Sequence, residues 1–110
     1  VRKLLSESGV EAKVRPIGFQ STANWTPPTD PVVTLLVDSI KEVSNKDAYG
    51  VLQWASSDAR HFRTHHFPVL QYGPADLPTI HSYNERAPID QVIQAAKVYA
   101  LTSLKYLGVK

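Results

Sequence analysis

The sequence predicts an α/β fold: a βαβ unit covered by helices, preceded by a helix and a strand that belong to a different sheet. Three observations carry this. Residues 49–54 and 67–72 are short runs nearly continuous in apolar residues, and a short amphipathic stretch lies between them. That is the pattern of buried parallel strands joined by a helical crossover. Two longer segments, after Asp30-Pro31 and after Pro88, carry apolar residues at helical spacing and supply covering layers. Residues 10–19 instead alternate, as a strand exposed on one face does.

Taken in order, residues 2–8 read as a short helix with Leu4 and Leu5 as its apolar side, closed by Gly9, which suits a left-handed cap. In the following strand Val10, Ala12 and Val14 face one way, and Glu11, Lys13 and Arg15 the other. Residues 20–30 (Q-S-T-A-N-W-T-P-P-T-D) have no periodicity and two adjacent prolines. The chain therefore divides into a unit at 1–20, a linker at 21–30 and a second unit at 31–110. Asn24 and Trp25 of the linker read as packing under a loop or meeting a partner.

Asp30 offers an N-cap side chain, and Pro31 follows at the first helical position. The helix buries Val33, Leu36, Val37, Ile40 and Val43 and fades at Ser44 and Asn45. Ser56 and Ser57 start a short helix running to about His65, with Ala59 and Phe62 inside. Gly73 and Pro74 stop the second strand, and a polar loop runs to residue 86. Pro88 opens the last helix, whose apolar stripe is Ile89, Val92, Ile93, Ala96, Ala100, Leu104 and Leu107, ending at Gly108.

Composition excludes several classes. Twelve Lys and Arg stand among ten acidic residues, net +2, with no basic run interleaved with aromatics, so no nucleic-acid partner is expected. No apolar run is long enough for a bilayer, so no membrane partner is expected either. With no cysteine there is neither a disulfide framework nor a thiolate zinc site, which fits a cytoplasmic protein. The chain begins at Val1 and contains no Met, the expected appearance of a fragment.

Ligands of open parallel sheets gather at the carboxyl ends of the strands. Here those ends lead into Ser56-Ser57-Asp58 and into the loop holding His81. His81, in T-I-H-S-Y-N-E-R, has two readings: a metal ligand whose second nitrogen is fixed by Asn84 or Glu85, or a loop histidine bonded to backbone. Spacing alone favours the second, since no other ligand is adjacent. His61 and His65 lie four apart, but Phe62 stands where a zincin carries its Glu, so a surface pair is expected. Asp58 and Arg60 suit either substrate binding or a mutual ion pair. Ser56 and Ser57 lack an activating base nearby in sequence.

The runs S-S-D-A-R-H-F, P-V-L-Q-Y-G-P and P-T-I-H-S-Y-N-E-R-A-P-I-D together resemble the C-terminal signature of the co-catalytic zinc hydrolases. That family includes acetylornithine deacetylase, succinyl-diaminopimelate desuccinylase, aminoacylase and glutamate carboxypeptidase. The resemblance covers about residues 49–108. It implies that 31–110 is the C-terminal part of a zinc-peptidase-like catalytic domain, and that 1–20 is the last helix and strand of a ferredoxin-like lid, a dimerisation domain. It makes His81 a ligand of one of two zinc ions (cobalt or manganese being alternatives). Ser56, Ser57, Asp58 and Arg60 match a substrate-side turn, and Asn84-Glu85 match the N-E that follows the ligand histidine. Relatives usually carry Gly-Gly before the S-D turn; this chain has Trp54-Ala55, which narrows the pocket or alters backbone approach.

The reaction implied is hydrolysis of an N-acyl amino acid or peptide amide bond, with the other metal ligands and the general-base Glu expected upstream. The fragment alone is expected to be inactive, and its uncovered edges to make it a homo-oligomer. The alternative function is a non-catalytic association module or degenerate homologue.

Overall fold

The computed structural model describes residues 2–18, 22–53 and 55–109. Their regular elements, in order, are α1 (Arg2–Glu7), α2 (Pro31–Ser44), α3 (Ala59–Thr64), a 3-10 turn (Leu77–Thr79) and α4 (Ile89–Leu107).

Local chemistry sets the helix ends. Asp30 has extended backbone, and its carboxylate accepts the Val32 N–H at 3.0 Å while Pro31 fills a position that needs no amide. At the far end of α2, Asn45 turns left-handed (φ 55°) and its N–H returns to the Lys41 carbonyl. Gly108 closes α4 in the same way, at φ 69°, with its N–H bonded to Lys105. α1 ends with the Ser8 N–H on the Leu4 carbonyl at 3.0 Å, followed by left-handed Gly9.

Among the described residues, α2 and α4 are the helices in contact, and the core lies between them. Ser39 of α2 and Val98 of α4 are fully buried, and Ala95 nearly so. Such small side chains let two helices approach closely. The Ser39 hydroxyl donates to the Leu35 carbonyl at 2.7 Å, so burying it leaves no orphan donor. Val33, Leu36, Val37, Ile40 and Val43 are half-buried, and Lys105 reaches Glu42 across the rim at 2.8 Å.

The expected stripe of α4 is not its packed face. Ala95 and Val98 are buried, with Leu101, Thr102 and Lys105 half-buried beside them. At about 100° per residue, Ala96, Ala100, Leu107 and Ile89 fall on the opposite side of the helix. There Ile89, Val92, Ile93, Leu104 and Leu107 are all exposed. The helix is apolar on two sides, and only one of them meets α2.

The βαβ unit is not present: no strand forms among the described residues. Residues 46–53 and 67–76 run without turn or bend, yet they do not pair. A strand needs a neighbour to satisfy its amides, and here side chains take that part. The Thr26 hydroxyl donates to the Val69 carbonyl at 2.7 Å and accepts the Val69 N–H at 2.9 Å. The lid strand expected at residues 10–19 is likewise absent over 10–18, with Val10 and Val14 exposed and no second strand among the described residues to receive them. Phe19 and Trp54, the last residues of two expected strands, lie outside the described residues.

The result is open. Its accessible surface is 9575 Å², against roughly 6,000 Å² for a compact chain of this mass.

Candidate functional site

Two groups of the predicted residues are organised. The first is the turn into α3. Ser57 caps it: its Oγ accepts the Ala59 N–H at 3.2 Å, and its carbonyl accepts the Arg60 N–H. Arg60 folds back over the turn, donating to Ser56 Oγ at 2.9 Å and to the Ser57 carbonyl at 3.2 Å. Asp58 stands 3.8 Å from the same guanidinium, but its side chain is 91% exposed. In water that pair contributes little, leaving the Asp58 carboxylate free to meet a ligand. Ser56, Ser57, Asp58 and Arg60 therefore share one turn, with one arginine laced through it. Ala59 is buried as expected, whereas Phe62 is exposed.

Asn24, expected to pack under a loop or meet a partner, supports this turn from behind, together with Arg63 and Gln71, which the sequence reading did not single out. Arg63 donates from Nε to Asn24 Oδ1 at 2.8 Å and from a terminal nitrogen to the Val69 carbonyl at 3.2 Å. Asn24 Nδ2 donates to the Arg60 carbonyl at 3.1 Å, so the linker packs on α3. Gln71 Nε2 reaches Ser57 Oγ at 2.5 Å. Nothing in local spacing signals these contacts, because the partners lie far apart in the chain.

The second group is the loop after Gly73-Pro74. His81 is exposed and sits in the left-handed region at φ 60°, a conformation that costs a side-chain-bearing residue about 1 kcal/mol. Short turns hold it. The Asp76 carbonyl accepts from the Thr79 N–H and hydroxyl, the Thr79 carbonyl from the Ser82 N–H and hydroxyl, and the Ser82 carbonyl from the Glu85 N–H. Asn84 and Glu85 share the loop and are exposed. Among the described residues no hydrogen bond joins their side chains to the His81 ring, and none links this loop to the Ser56–Arg60 turn.

His61 and His65 are exposed on α3 and its cap. Among the described residues, no group of three or more His, Asp or Glu side chains could hold a metal ion. His81 fits a single coordination position: an accessible imidazole on a backbone fixed by its own turns.

The sequence model of peptidase family M20/M25/M40 matches residues 8–105, nearly the whole chain. The chain belongs to that family. No curated protein and no solved structure matches it. Family membership supports a hydrolase, specifically peptidase, function in general, in a family that is typically metal-dependent. Both organised groups lie inside the M20/M25/M40 match. Trp54, on which the departure from Gly-Gly rests, lies outside the described residues; Ala55 is exposed. Among the described residues no helix is long and apolar enough to cross a membrane.

Proposed function

We propose that this chain contributes to a zinc-dependent amidohydrolase that cleaves an N-acyl amino acid or peptide amide bond. The observation that carries the reading is His81, held accessible in a left-handed backbone inside a segment matched to a peptidase family. His81 would hold one of two zinc ions (cobalt or manganese being alternatives), and bound zinc would supply carbonyl polarisation and an acidified water. The chain's own residues bind and orient. The Ser56–Arg60 turn would present its hydroxyls and the Arg60 guanidinium to a substrate carboxylate. Asn84 and Glu85 are placed in the same loop to orient the His81 ring on loading. Catalytic zinc takes about three protein ligands, so the remaining ligands come from outside the described residues.

Isolated, the 110-residue chain is therefore inactive. Its excess exposed surface supports a homo-oligomer, and its lack of cysteine is in keeping with a cytoplasmic location.

The test is made in the protein that carries this chain. His81→Ala should remove bound zinc, measured by elemental analysis, and lower kcat for N-acyl amino acid hydrolysis by about 100-fold or more. Unchanged zinc content and unchanged kcat would overturn the assignment.

A further inference from the structure

The loop that carries His81 is closed at its base by one ion pair. Arg86 Nε donates to Asp76 Oδ2 at 2.9 Å, across ten positions of sequence. Asp76 does two things at once. Its carbonyl starts the relay of turns, taking the Thr79 N–H at 2.8 Å and the Thr79 hydroxyl at 2.9 Å. Its side chain, 27% exposed, receives the arginine that ends the loop. Between these two ends the relay passes through Thr79 and Ser82 to Glu85, and His81 lies within it at φ 60°. Within the loop is an open hollow of about 340 Å³, bordered by Pro74, Asp76, Ile80, Glu85 and Arg86. The hollow is lined by the loop's own residues, so no packing from another element fills it. Ile80 is itself 40% exposed.

A left-handed histidine is retained only where its surroundings over-determine it. Turn hydrogen bonds alone, exposed to water, are each worth little. What converts them into a fixed loop is closure of its two ends, because a closed loop has far fewer open arrangements to lose.

We propose that Asp76 and Arg86 form a clasp that fixes the backbone presenting His81, making them positioning residues for the proposed metal ligand. This rests on the reading of His81 given above. The pair contacts neither substrate nor metal; it acts through the loop. Lysine in place of Arg86 would keep the charge but lose the directional Nε–H on Asp76.

The experiment uses the 110-residue chain without metal. Amide hydrogen exchange is followed by NMR at Ser82 and Glu85, with α2 and α4 amides as internal controls. The variants are Asp76→Asn, Arg86→Gln and the reversed pair Asp76→Arg with Arg86→Asp. Each single variant should speed exchange at Ser82 and Glu85 by about two- to fivefold, the range of an exposed ion pair. The controls should not move, and the reversed pair should restore slow exchange. Unchanged exchange in the single variants would overturn the clasp, as would a reversed pair that exchanges as fast as they do. An equal change in α2 and α4 would also overturn it, as a global effect. Because no metal enters this readout, it is independent of the His81→Ala zinc measurement: either can fail while the other stands.

Discussion

Val98 is the most fully buried side chain of α4, and truncating it tests where the core lies. Val98→Ala removes two carbons, a transfer loss of about 1.6 kcal/mol at ~0.8 per methylene. Incomplete collapse of the α2–α4 interface adds a cavity cost, bringing the loss to about 2–3 kcal/mol. Alanine's better helix propensity returns about 0.5 kcal/mol. The net expectation is a destabilisation of about 2 kcal/mol. Leu107→Ala is the comparison: it removes more carbon, but the side chain is 72% exposed, so the cost is about 0.7 kcal/mol. The assay is urea unfolding followed by far-UV circular dichroism, at a protein concentration low enough to suppress association. If Leu107→Ala costs as much as Val98→Ala at that dilution, the stripe expected from sequence is the packed face and the placement of the core is wrong.

Two further outcomes follow from the same structure. Thr26→Val keeps the shape but removes both bonds to Val69, so unfolding free energy should fall by about 1–2 kcal/mol, while Thr26→Ser should recover most of it; equal stability of all three would refute a tether between residues 26 and 69. The bare chain should sediment as a dimer or larger species, and Ile93→Lys with Leu104→Lys, which charge the exposed side of α4, should shift it toward monomer; an unsubstituted chain that stays monomeric at high concentration would refute association through that side.

Helix termini were legible in the sequence because their causes are local. Asp30 caps an amide two residues away, and Asn45 and Gly108 turn left-handed on bonds to residues of the last turn. The choice of face on α4 was not legible, since both sides are apolar and the opposite stripe carries the larger side chains Ile89, Ile93, Leu104 and Leu107. The strand runs failed for a related reason. An apolar run at residues 49–53 declares that it suits burial, not what will pair with it, and pairing is non-local. At the site, the turn from Ser56 to Arg60 was readable because its bonds span at most four residues. Asn24 on Arg63 and Thr26 on Val69, which brace it, span 39 and 43.

The proposed metal role of His81 and the uncovered apolar side of α4 lead to one requirement. On the proposed reading His81 would offer one ligand where zinc needs about three, and α4 presents exposed Ile89, Val92, Ile93, Leu104 and Leu107 where a soluble surface would carry charge. A ligand set is completed by bringing further carboxylates and imidazoles within bonding distance, which requires another protein surface against this one. The same surface would remove apolar area from water, at about 25 cal/mol per Å². The residue proposed to meet the metal and the exposed residues of α4 are different ones, so the two roles can be uncoupled. Lysines at Ile93 and Leu104 attack the contact and leave His81 untouched, whereas His81→Ala attacks the ligand and leaves the contact. If covering and metal loading are linked on the proposed reading, the lysine variant should lose zinc from the protein that carries this chain without any change at the His81 loop.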